Sequence, residues 1–292
     1  MQNLFRKTPL HRRILSALVF CLALPSATLF AQTGAGDLTV TPTRAVFEGR
    51  DRSTQISLIN RGTATATYRV SFIQMRMAED GQFEEITEPG PGEHFADALI
   101  RYSPRQVTLE PGVAQTVRLM LRKPADLAPG EYRSHMIFHA VPDADAGTSI
   151  ENVELEGEEF DIRLTPIYRI SIPVIVRHGE LTAEAELGDV GLVTGDGESP
   201  PGLALRLHRR GERSIYGDVD VTWIPDGGDP EVVVGQIKGL AVYSPNASRS
   251  LVLPLRPPAG VELENGRLKV TFSEEPSAHG AASSEVDIRL DR

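Results

Sequence analysis

One cysteine and one tryptophan are all that 292 residues hold of either type, and no apolar run is long enough to span a membrane. Cys21 lies inside an apolar run near the start, so a chain trimmed after that run has no cysteine. Disulfides and a cysteine nucleophile are then excluded. Helical periodicity is also missing: nowhere do apolar residues recur convincingly every three to four positions. There is no Gly-x-Ser-x-Gly elbow, phosphate loop, dinucleotide fingerprint or zinc-protease helix. The histidines beyond the start are His94, His135, His139, His178, His208 and His279. His135 and His139 share a strand face, but four residues along a strand separate them by about 13 Å, too far for one metal. They read as surface or groove histidines, and the chain does not read as an enzyme. No metal or other cofactor is expected. Cations are the minority, 30 against 40 acids, which disfavours nucleic acid and anionic membranes as partners.

What is present begins with an export signal over residues 1–31. Arg6, Lys7, Arg12 and Arg13 form a basic region, residues 14–24 are apolar, and small residues lead to Ala31, the best cleavage point. Phe20 before Cys21 argues against a lipid-modified cysteine. Removing this segment takes away four cations and no acid, moving the net charge from −10 to −14. The remaining length suits two domains with cores of their own.

Residues 160–176 organise that remainder. Every even position from Phe160 to Val176 is apolar, counting Pro166, and most odd ones are polar, the alternation of a strand with one apolar face. At about 3.3 Å per residue it would reach roughly 55 Å, beyond an ordinary strand. Pro166 and Pro173 cannot donate to a ladder, which places part of it at a sheet edge. An apolar edge invites pairing with another chain, although an ordinary edge strand covered by a loop has the same pattern.

Shorter strands surround it. Residues 38–47 form a strand interrupted by Pro42, and 53–60 the next. Tyr68, Val70 and Phe72 alternate before the apolar phase slips to Ile73, Met75 and Met77, which predicts a bulge. Leu99–Tyr102 is a short strand, Leu109-Glu110-Pro111-Gly112 a turn, and 132–141 a strand ending at Pro142. Residues 143–159 hold seven acids and no base and read as a mobile loop. Asp143, Asp145 and Glu154 lack the glycine and flanking helices of a calcium loop. Arg177-His178-Gly179 marks a boundary. Beyond it, about seven strands are predicted around Leu203, Val219, Val232, Leu240, Leu251, Leu268 and Val286. The fold class expected is all-β, with two immunoglobulin-like β-sandwich domains at 32–177 and 178–292.

Thr43-Arg44-Ala45-Val46-Phe47-Glu48-Gly49, followed by Ile56-Ser57-Leu58-Ile59-Asn60, resembles the opening of PapD-like periplasmic pilus chaperones. Tyr102-Ser103-Pro104-Arg105, Leu109-Glu110-Pro111-Gly112 and Gln115-Thr116-Val117-Arg118-Leu119 are similar to that family's mid-domain signature. The likeness covers residues 38–177 and rests on general sandwich character after Gly179.

The resemblance implies a cofactor-free periplasmic chaperone for pilin-like or surface-fibre subunits. In that family the long strand is lent to an incomplete subunit, here through Phe160, Ile162 and Leu164, and the cargo passes to an outer-membrane usher. The family anchors the client's terminal carboxylate with an Arg on the first strand and a Lys on the long one. Arg44 fits the first position, whereas the second falls on Ser171, with Arg169 two residues earlier on the same face. Pro166 stands where a third donor hydrophobe is expected, and the cysteine pair often found before long donor strands is absent. These departures imply a divergent branch. The alternative is a periplasmic scaffold or adhesive accessory without chaperone activity.

Overall fold

The computed structural model describes residues 37–141, 169–195, 200–276 and 280–290. Phe160, Ile162, Leu164, Pro166, the acidic stretch and the signal lie outside them. The described chain is all-β, built as two sandwiches of the expected immunoglobulin-like class.

In the first sandwich, one sheet runs β1 (Leu38–Thr41), β3 (Ser53–Asn60), β8 (Ala114–Leu121), β6 (Ile100–Ser103). The other runs β2 (Ala45–Phe47), β10 (Arg169–His178), β9 (Gly130–Val141), β4 (Ala66–Met77), β5 (Phe83–Ile86), with β7 (Gln106–Leu109) also on β4. The expected single strand over 38–47 is thus two strands in different sheets. Pro42, lacking an N–H, falls where the ladder breaks. Ile56, Leu58, Val117 and Leu119 face Val70, Phe138, Val174 and Val176 across a closed core. Each such side chain contributes about 1.5–3 kcal/mol on burial.

The predicted bulge in β4 is absent. Its pairing with β9 runs in register from Thr67 to Ile73, after which Gln74–Met77 pair with β5. The apolar phase slips because the buried face changes. Tyr68 and Val70 point into the first core, and Met77 joins Ile175, Ala241 and Tyr243 in a cluster between the sandwiches. The start of β6 likewise differs by a residue, a 3₁₀ turn covering Asp97–Leu99.

In the second sandwich, β11 (Ala183–Val193), β12 (Gly202–Gly211) and β15 (Ser248–Pro254) face β14 (Val232–Val242), β13 (Ile215–Pro225), β16 (Gly266–Glu274) and β17 (Ser283–Leu290). The seven strands match the expected number through two compensating differences. β11 has too few apolar positions to stand out, and the two strands expected at Val232 and Leu240 are one. β14 stays continuous by bulging at Lys238–Gly239, where Gly217 pairs with Leu240 and Val219 with Ile237. Asp218 holds the bulge, accepting from Lys238 Nζ at 2.7 Å and from the Gly239 amide at 3.0 Å. Among the described residues no helix is long and apolar enough to cross a membrane.

Candidate functional site

β10 is where the expectation of an edge strand meets the structure. β9 pairs along its whole length, from Arg169 opposite His139 to His178 opposite Gly130. β2 runs parallel on its other side only over Val174–Val176. From Arg169 to Pro173 that second side has no strand partner among the described residues. Pro173, which has no N–H to give, is the last residue before β2 joins. The edge is therefore real but partial, and it leads towards residues 160–168.

Register then places the outer face of this sheet. Ile172, Val174 and Val176 point into the first core, so Ser171, Pro173, Ile175 and Arg177 point outward, towards the second sandwich. Val46 is level with Ile175 and Arg133, and Arg44, one step before β2, is level with Pro173 and His135. The floor of an inter-sandwich cleft thus has two arginines flanking the uncharged Pro173–Ile175 segment of β10.

Its far wall is aromatic. The Arg44 guanidinium carbon lies 4.1 Å from the Tyr216 ring centroid, and that of Arg133 lies 4.3 Å from the ring of Tyr243. Tyr216 can lie there because Gly239 leaves room: φ is +70°, and a Cβ would sit 2.6 Å from the Tyr216 hydroxyl. Arg44 Nε and Arg133 Nη1 are buried without a hydrogen-bond partner. Burial lowers the pKa of both guanidinium groups, offset by nearby Tyr243, but arginine stays charged throughout the physiological range. Tyr243 is pushed up by its own burial and pulled back by the two arginines.

His135 is not the surface or groove histidine that its sequence context suggests. It is 3% exposed, edge-on to Phe83 and Tyr243, with ring centroids at 5.3 and 6.4 Å. Burial, and then Arg133, lower its pKa to about 3, so it is neutral at ordinary pH.

A carboxylate–guanidinium network closes one end of the cleft. Arg177 donates through Nε to Glu131 at 3.1 Å and through Nη1 to Glu48 at 3.0 Å, while Nη2 reaches the Ser214 carbonyl at 3.1 Å. Glu131 also accepts from the Ser214 amide at 3.0 Å and from its hydroxyl. A pocket of about 140 Å³ opens beside it, lined by Arg44, Val46, Glu48, Arg177, Tyr216 and Glu274. With Arg177 matched by two carboxylates, the positive charge left over in the cleft is that of Arg44 and Arg133. Among the described residues no cluster of three or more His, Cys, Asp or Glu side chains could hold a metal.

Of the residues singled out in the sequence, Arg44 stands in this cleft. Ser171 is on the next row, about 7 Å along the strand, and its hydroxyl faces the Met75 sulfur at 3.6 Å. Arg169 is a further row away, exposed, with Glu85 at 4.0 Å; the fold does not bring it to Arg44. Phe160, Ile162 and Leu164 lie outside the described residues. Arg133, Tyr216, Tyr243, Glu131 and Ser214 went unnoticed. Arg133 occupies a polar position of an alternating strand, which by pattern alone means solvent.

No family model and no curated protein matches the sequence. Several solved structures similar to this chain are chaperones, and another is a PapD-like domain of human CEP192. The E. coli chaperone DraB is 15% identical, over 87% of this chain and 96% of that one, with a TM-score of 0.42. The CupB2 chaperone of Pseudomonas aeruginosa is 12% identical, over 85% and 98%, at 0.41. A chain of the CsuC–CsuE chaperone–tip adhesion subunit complex from archaic chaperone-usher Csu pili of Acinetobacter baumannii is 13% identical, over 87% and 99%, at 0.43.

Proposed function

We propose that this protein is a periplasmic chaperone that holds secreted pilus or surface-fibre subunits by lending them a strand and passes them to an outer-membrane usher. The observation that carries this reading is the half-covered edge of β10. Among the described residues, 169–173 have no strand partner on one side of their backbone, beside a cationic cleft, which is the template that strand addition requires. In this reading residues 1–31 are the export signal, 32–177 the chaperone domain and 178–292 a second sandwich domain that forms the far wall. Phe160, Ile162 and Leu164 fill the client, and Arg44 holds its terminal carboxylate.

Co-expression with subunits encoded beside the gene, followed by size exclusion, tests it. A subunit should co-elute with the wild type and be lost from the Ile162→Asp/Leu164→Asp double variant, with thermal unfolding of the free protein nearly unchanged. If no neighbouring subunit co-elutes, the protein is a scaffold or accessory and the chaperone reading fails. If the double variant unfolds, those positions belong to this protein's own core.

A further inference from the structure

The two cleft arginines differ from the buried arginines around them in making no side-chain hydrogen bond. Arg177, Arg209 and Arg213 each place side-chain donors on carboxylates or backbone carbonyls, although Arg213 Nε, like Arg249 Nε, is itself buried without an acceptor. The side chains of Arg44 and Arg133 make no hydrogen bond or ion pair among the described residues, and each has a nitrogen buried without an acceptor. Leaving donors of a charged group unmet costs more than leaving those of a neutral one. Stacking on a tyrosine offsets part of that cost but supplies no acceptor in the plane of the guanidinium.

Their spacing suits a shared ligand. β2 and β9 flank β10, so the two backbones are two inter-strand steps and one row apart, about 12 Å. Both side chains point to the same face, and both lie within electrostatic reach of the Tyr243 phenol. Between them β10 offers only Pro173 and Ile175, neither charged nor polar. Glu131, an acid within electrostatic reach of both, already has Arg177 and Ser214 as partners.

We propose that Arg44 and Arg133 form a single carboxylate-binding site, with Arg133 supplying from β9 the second positive charge that β10 lacks. The site rests on the chaperone reading only for whose carboxylate it takes. Arg133 is thus the specificity-determining partner of Arg44. Ser171 is turned to Met75 and Arg169 to Glu85, and neither is required. The planar forks of two arginines fit a carboxylate from two sides.

Acetate, with acetamide as the neutral control, tests the site directly. The side-chain Nε–H signals of Arg44 and Arg133 are followed by NMR at constant ionic strength. Acetate should move both signals with one common midpoint, and acetamide should move neither. A charge-assisted hydrogen bond is worth enough that Arg133→Gln should raise the midpoint seen at Arg44 about tenfold or more. Ser171→Ala and Arg169→Gln should leave it unchanged. Separate midpoints for the two arginines in the unsubstituted protein overturn the proposal, even where Arg133→Gln does not fold. So does an Arg44 response untouched by Arg133→Gln. An equal response to chloride means an adventitious ion only, and also overturns it. Failure of the chaperone reading looks different: acetate still couples the two arginines while no subunit co-elutes.

Discussion

Arg177 Nε lies 3.1 Å from Glu131 Oε2, with both side chains almost fully excluded from solvent. Because Glu131 also accepts from Ser214 in the other sandwich, this one pair ties the two halves together. Removing one partner strands a buried charge, which typically costs 3–5 kcal/mol. Arg177→Met should therefore cost about 3 kcal/mol or more in a denaturant titration, and adding Glu131→Gln should recover part of the loss. A loss below about 1 kcal/mol would mean that water replaces the guanidinium and the pair is no tie.

His135 makes stability depend on acid. It faces Arg133, Tyr243 and Phe83, and its folded pKa, about 3, lies below the unfolded value near 6.5. Below pH 6.5 the unfolded chain binds a proton that the folded one refuses, so stability is full above that pH and falls towards pH 3. The slope from this residue approaches about 1.4 kcal/mol per pH unit. Urea midpoints from pH 7 to 4 should fall less steeply in His135→Leu than in the wild type. Parallel profiles would show that His135 is protonated in place.

Gly239 and Tyr216 give a third test. Alanine at 239 has to tolerate φ +70° and displace the Tyr216 ring, at a cost of about 1–3 kcal/mol. Since Tyr216 is the platform for Arg44, Gly239→Ala should lower the unfolding temperature and also shift the Arg44 side-chain NMR signal. Tyr216→Leu should shift that signal with Gly239 intact. A variant that loses stability but leaves the Arg44 signal in place would break the proposed link.

Strand alternation made most of the fold legible, because inward and outward positions of a sandwich strand meet different solvents. The same rule failed wherever the second sandwich covered an outward face. The slip at Ile73, Met75 and Met77 looked like a bulge, since pattern cannot separate a shifted register from a second buried surface. His135 looked exposed for the same reason. β10 was readable as a strand from Arg169 to Val176, but the partial cover by β2 was not, because it depends on Pro42 sending three residues to the opposite sheet. β14 was split in two because its bulge hides the two-residue period. Arg44 was found by motif, whereas its partner tyrosines come from a part of the chain with no motif.

Asn60 supports the last prediction. At the end of β3 it is 1% exposed, and its side chain meets three backbone groups. Nδ2 donates to the carbonyls of Ala64 at 2.8 Å and Leu109 at 2.9 Å, and Oδ1 accepts from the Gly62 amide at 2.9 Å. The Asn60 backbone carbonyl accepts from Gly112 at 2.8 Å. One side chain thus ties the turn after β3 to the end of β7. Asn60→Asp keeps the shape and the acceptor but turns two donors into an acceptor facing two carbonyls. Each unmet buried group costs about 1–3 kcal/mol, and a buried carboxylate adds more. Asn60→Asp should therefore destabilise the protein by at least as much as Asn60→Ala, and both should lose at least about 2 kcal/mol by denaturant unfolding. The Asn60→Asp loss should shrink as pH falls from neutral towards the usual carboxylate range, because burial raises the pKa of the new acid and its protonated form regains one donor. If Asn60→Asp is milder than Asn60→Ala at neutral pH, the two carbonyls are not held as described, and the turn is anchored through the Gly62 amide alone.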